Sequence, residues 1–138
     1  MIVLDTNVVS EVVRRVPEPR VLNWLDEQTD EFAVTAITIG ELWTGVRLLP
    51  EGARRDHLTA AIEDVLMRWD TVLPYDAVAA GTYARMRELA HQTGRGLSVE
   101  DGMIAAVSVA SGASLATRNA GDFDFLPVPL VNPWEHDG

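Results

Sequence analysis

Ile2-Val3-Leu4-Asp5-Thr6-Asn7 opens the chain with an apolar run, an acid and two small polar residues. It reads as a strand from Ile2 to Asp5 followed by a helix from Thr6 to Arg14, with a carboxylate at the junction. Outward from this stretch the same alternation repeats. Further short strands are expected over Phe32 to Thr35, Thr71 to Leu73, Ser114 to Thr117 and Leu130 to Val131. Stretches of helical period lie between them: Pro19 to Glu27, Thr38 to Leu48, Glu51 to Trp69, Asp76 to Gln92 and Val99 to Ser111. The Pro17-Glu18-Pro19 break separates the first two helices, because proline opens a helix but does not continue one. Gly94 and Gly112 suit positions just past helix ends, and the Pro127 to Pro133 tail is expected to be extended. Strands alternating with helices predict an α/β fold: a short parallel sheet of about five strands with helices on both faces.

The chain has 138 residues, enough for one core and one domain spanning 1–138. It has no cysteine, which removes disulfide frameworks, thiol nucleophiles and thiolate metal centres. No basic start precedes an apolar leader, and no apolar run reaches the roughly 18 residues of a spanning helix, so a cytoplasmic protein without membrane contact is expected. Acidic residues outnumber basic ones by 21 to 11 and the net charge is −10. That excludes coating of nucleic acid by bulk charge, so any such contact must be local. All 11 basic residues are arginine.

In an open parallel sheet ligands bind beyond the carboxyl ends of the strands. Four acids fall at that edge: Asp5 closing the first strand, Glu41 in the first turn of the helix after the second, Asp101 in the first turn of the helix beginning near Ser98, and Asp122 after the Ser114 strand. Singly, each has a structural reading. Asp5 or Thr6 can cap the helix that follows, Thr38-Ile39-Gly40-Glu41 fits a capping box, and Ser98-Val99-Glu100-Asp101 is a looser one. Jointly, four carboxylates on one edge repel one another and invite a divalent cation. Mg2+, with Mn2+ as a substitute, takes hard oxygen ligands and keeps room for water and substrate phosphate. That donor set is the chemistry of phosphodiester hydrolysis.

At these residues the chain resembles the PIN-domain ribonucleases, and in particular the VapC and FitB branch of bacterial toxins. The resemblance is carried in order by Ile2-Val3-Leu4-Asp5-Thr6-Asn7, Thr35 to Leu42, Glu100 to Ala106, Ala116 to Phe123 and Val131-Asn132-Pro133-Trp134. It implies a three-layer PIN-like fold and a Mg2+-dependent endoribonuclease acting as the toxin of a toxin–antitoxin pair. It also implies that Asp5, Glu41, Asp101 and Asp122 form the catalytic centre, with Asp5 and Asp101 as metal ligands and Thr6, Asn7, Thr117 and Asn119 in support. The implied partners are an antitoxin with a basic tail, an RNA substrate and a second copy of the chain. Some relatives carry an acid where this chain has Asn119, so Asp122 would substitute for it, with Asp124 as its rival.

Other readings are weaker. His57, His91 and His136 show no metal-ligand spacing, Asp76 reads as a helix cap, and Trp24, Trp43, Trp69 and Trp134 read as packing residues, with Trp43 beside the site. Phosphatases with a strand-end aspartate, receiver domains and P-loop enzymes need a lysine that this chain lacks. The alternative that survives is a PIN-fold interaction protein that acts through an antitoxin-containing DNA-bound complex with little cleavage.

Overall fold

Side chains along a strand point alternately to opposite faces, and the first strand shows what this demands here. In the computed structural model, which describes residues 1–137, β1 (Ile2–Leu4) sends Ile2 and Leu4 into one core and Val3 into a second. All three are buried, which is why the run is apolar without a polar alternate. Each such side chain contributes about 1.5–3 kcal/mol by leaving water.

Five short strands make one parallel sheet: β1, β2 (Phe32–Thr35), β3 (Val72–Leu73), β4 (Ser114–Ala116) and β5 (Leu130–Val131), in the order β3-β2-β1-β4-β5. On one face lie α1 (Thr6–Val12), α2 (Pro19–Glu27), α3 (Ala36–Arg47) and α4 (Ala53–Arg68), whose Val9, Trp24, Leu42 and Ile62 pack on Ile2, Leu4 and Val34. On the other lie α5 (Ala77–Thr93) and α6 (Val99–Ala110), whose Met86 and Ile104 pack on Val3 and Leu115. This is the expected three-layer α/β arrangement. The chain builds outward from β1 through β2 to β3, then returns through α5 and α6 to place β4 on the other side of β1. The strand order therefore switches at β1, and the carboxyl end of β1 is the crevice such sheets use for ligands.

Several boundaries move, each for a local reason. The helix expected from Thr38 begins at Ala36, because the Thr35 hydroxyl accepts the Thr38 amide at 3.1 Å and takes the N-cap. The Thr38 to Glu41 capping box therefore does not form, and Glu41 stands in the second turn. The tail expected to be extended bends over Leu126–Val128, where the Leu126 and Val128 amides bond to the Phe123 and Leu126 carbonyls. It is a strand only at Leu130–Val131 and ends in a 3-10 turn at Pro133–Glu135. A one-turn helix, α7 (Ala120–Phe123), follows β4. Gly94 and Gly112 do close helices, with positive φ. No helix is long and apolar enough to cross a membrane among the described residues.

Candidate active site

β1 and β4 run parallel with Leu4 opposite Ala116, so the next residue of each strand, Asp5 and Thr117, must meet just beyond the sheet. They do. The Thr117 hydroxyl donates to Asp5 Oδ2 at 2.7 Å, and both residues are buried, Asp5 at 4% exposure. Asp5 also N-caps α1, its Oδ1 accepting the Thr6 amide at 2.8 Å. The cap reading and the site reading of Asp5 are thus both true of one carboxylate, each oxygen serving a different neighbour.

Around this acid a polar frame is built from adjacent elements. Asn7 Nδ2 lies 3.3 Å from both Asp5 Oδ2 and the Thr117 hydroxyl, and Asn7 Oδ1 accepts the Arg118 amide at 3.2 Å. The Asn119 amide donates to the Thr117 hydroxyl at 3.1 Å, so Asn119 contributes its backbone here. The Thr6 hydroxyl lies 2.7 Å from Glu41 Oε1 and 3.0 Å from the Thr38 hydroxyl, linking α1 to α3. Asp101 sits in the first turn of α6, its amide capped by Ser98 at 3.1 Å.

Asp5, Glu41 and Asp101 line one open cleft of about 540 Å³ together with Thr6, Asn7 and Asn119. Asp122 does not line it. It is exposed on α7, although its charge reaches Asp101. Asp124 pairs with Arg95 at 2.9 Å, and because the segment is helical at Asp122 rather than extended, the two acids are not aligned. Residues to which the sequence reading gave no site role also line the cleft, among them the buried Glu11, Arg118 and Trp134, the last read from sequence as a packing residue. Glu11 accepts both Arg14 and the Glu18 amide, a pairing across seven residues that no local pattern signals. Trp134, rather than Trp43, is the tryptophan beside the acids. Trp43 is two residues on from Glu41 along α3, so it turns to the opposite side and packs on the core. Of the histidines, His57 and His91 are exposed, while His136 is half-buried 2.8 Å from Glu27, and none of the three lines the acidic cleft. Asp76 caps α5 as expected, accepting the Ala79 amide at 2.9 Å.

Crowding and burial set the electrostatics. Burial pushes the Asp5 carboxyl up from its ordinary 3.8 to about 6, against the hydrogen bonds from Thr117 and the Thr6 amide, and the charges of Asp101 and Glu41 push the same way. Asp101 is raised as well, first by burial and then by Asp122 and Glu100, against the Ser98 hydrogen bond. No three acidic, histidine or cysteine side chains among the described residues close around one point as a complete metal cage. Mg2+ asks for less, because it binds through one or two carboxylates and completes its shell with water and phosphate oxygen. Asp5 and Asp101 are the two raised carboxylates lining this cleft that could contribute such ligands.

A wider groove of about 1030 Å³ runs between α1, α3 and α4, with Val13, Leu42, Leu49 and Leu58 along it, and shares Thr6, Ser10, Arg14 and Glu41 with the acidic cleft.

Comparison with known proteins agrees with this architecture. Residues 2–126 match the family model described as PIN domain. The chain is 41% identical over 98% of its length to plasmid stability protein StbB of Pseudomonas syringae pv. tomato, covering 99% of that protein. It is 38% identical to VapC ribonuclease Y4jK of Sinorhizobium fredii, over 98% and 99% of the two chains, and 38% identical to toxin FitB of Neisseria gonorrhoeae, over 99% and 100%. The solved structure of FitAB bound to an IR36 DNA fragment superposes with a TM-score of 0.90 at 35% identity, covering 100% of this chain and 99% of that one.

Proposed function

From the premise that the chain belongs to the PIN domain family, we propose that it is a Mg2+-dependent endoribonuclease, the toxin of a toxin–antitoxin pair, which cleaves RNA phosphodiester bonds with activated water. The observation that carries this reading is Asp5: a carboxylate buried at the switch point of the sheet, with its pKa driven up to about 6 and two further acids lining its cleft. The names of the relatives, a VapC ribonuclease and toxin FitB, support the same activity.

In this reading Asp5 and Asp101 hold the cation, which when bound supplies positive charge for the phosphate and for activation of water. Thr117, Asn7 and the Thr6 amide hold the Asp5 carboxylate in one orientation. Glu41 has Oε1 engaged by the Thr6 hydroxyl, which leaves Oε2 to orient a water or accept its proton at the cleft. Asp122 acts from a distance through its charge on Asp101.

The partner we assign is an antitoxin whose apolar helix lies in the α1, α3 and α4 groove and whose basic tail reaches the acids, since groove and cleft are continuous through Thr6, Ser10, Arg14 and Glu41. The exposed Val78 and Val99 of α5 and α6 leave apolar surface for a homodimer. The DNA in the FitAB structure favours a second reading, an interaction protein working in a DNA-bound complex with little cleavage. One experiment separates them: incubate purified chain with single-stranded RNA in Mg2+ or in chelator, beside Asp5→Asn and Asp101→Asn. The nuclease reading expects Mg2+-dependent cleavage that falls more than about 100-fold in both variants with circular dichroism unchanged. Absence of cleavage by the unaltered chain would favour the interaction protein.

A further inference from the structure

Arg118 follows Thr117 directly and lines the same cleft as Asp5, Glu41, Asp101 and Glu11, yet it pairs with none of these acids. Among the described residues the arginine ion pairs are Arg14 with Glu11 and Arg95 with Asp124. Arg118 takes part in hydrogen bonds among the described residues only through its backbone, as amide donor to Asn7 and as carbonyl acceptor from Asn132. Its guanidinium rests on the ring of Trp134, 5.2 Å from the centroid.

That ring is held in place from several sides. Asn132 accepts the Trp134 amide at 3.0 Å while donating to the Arg118 carbonyl at 3.2 Å, and Arg20 donates to the Trp134 carbonyl at 3.4 Å. The indole packs against the core beside α2. An arginine beside uncompensated carboxylates is drawn onto them unless another contact competes, and the indole face is the strongest aromatic competitor. Seated there, the guanidinium stays charged and keeps its five N–H donors for a ligand. Planar and bidentate, those donors match a phosphate.

We propose that Arg118, positioned by Trp134, anchors a backbone phosphate of single-stranded RNA and so sets how the strand crosses the cleft past Asp5 and Asp101. The inference rests on the nuclease reading for its substrate and deepens it. Arg118 touches the substrate, whereas Trp134 acts through Arg118. An acidic chain that must admit a polyanion to an acidic cleft needs a local cation of this kind, and Arg14, the other arginine at the cleft, is already paired with Glu11.

The test is binding of a fluorescent single-stranded RNA to the full chain in chelator, by anisotropy over a salt series, followed by cleavage kinetics in Mg2+. Arg118→Ala is expected to weaken binding about tenfold, as loss of one charge-assisted hydrogen-bonded contact does. It should also flatten the slope of log K against log salt by about 0.7, the value of one phosphate contact on a single strand. Arg118→Lys should restore the slope but not the affinity. Trp134→Phe should stay near the unaltered chain, while Trp134→Leu should weaken binding with the slope retained. In cleavage the Arg118→Ala loss should fall on KM. Because Arg118 is exposed, its replacement should leave the melting temperature unchanged. If RNA is cleaved but Arg118→Ala keeps the original slope and KM, the anchor is wrong and the nuclease stands. If RNA binds with the expected slope change but is not cleaved, the anchor stands and the nuclease reading fails. RNA neither bound nor cut, or Arg118 variants that alter only binding of an acidic protein partner, would overturn the anchor.

Discussion

Replacing Asp5 by asparagine in the metal-free protein should change stability by an amount that depends on pH in a calculable way. In the folded chain the Asp5 carboxyl titrates at about 6, against 3.8 as an isolated group. The folded pKa is raised, so the fold favours the protonated acid. The associated stability is fully present below 3.8 and is lost as pH rises through about 6. The shift corresponds to about 3 kcal/mol of destabilisation once Asp5 is charged, at 1.36 kcal/mol per unit. Asparagine carries no charge at either extreme. It also spoils a hydrogen bond, because an amide nitrogen in place of Oδ2 faces the Thr117 hydroxyl, and that loss is the same at every pH. The difference between the two proteins therefore isolates the ionisation. Integrated between about pH 4.5 and about pH 7.5, it should move by about 2 kcal/mol in favour of Asp5→Asn. Urea unfolding of both proteins in chelator at the two pH values measures it directly. A difference that stays constant within about 0.5 kcal/mol would refute the claim that burial holds Asp5 out of its ordinary range.

Thr117→Val keeps the volume but removes the donor to Asp5 Oδ2, so it should destabilise the chain by about 1–3 kcal/mol and drive the Asp5 pKa higher still. The pH dependence of unfolding should shift upward accordingly. Saturating Mg2+ should raise the melting temperature, by about 2.7 kcal/mol of added stability at a hundred times its Kd, and calorimetry of Asp101→Asn should show that rise reduced. Gly102→Ala places a Cβ 2.8 Å from Tyr83 Cε2 and 3.3 Å from Leu97 Cδ2, where α6 meets α5. Despite the better helix propensity of alanine it should lower stability by about 1 kcal/mol, read as a fall in melting temperature.

The sequence alone determined most of the architecture, because short apolar runs and helical period report burial directly. The strands at Phe32–Thr35 and Leu130–Val131 and the helix at Pro19–Glu27 fall where composition places them, and Asp5 and Asp101 are legible as acids at element starts. Register and packing decided the rest. Pairing of β1 with β4 sets Thr117 against Asp5, 112 residues away, and turns a helix cap into a buried, raised carboxyl. Along α3 the packing of the helix puts Glu41 at the cleft and Trp43 against the core, and no local pattern distinguishes Thr35 from Thr38 as its cap until the end of β2 is placed. Asp122 illustrates the opposite case: it stands in the expected segment, but one turn of helix leaves it outside the cleft. Arg118 and Trp134 lie 16 positions apart and meet only because β5 brings the tail back beside β4. Periodicity encodes which face of an element is buried, whereas which faces meet is settled by long-range pairing between residues with no local signature of each other.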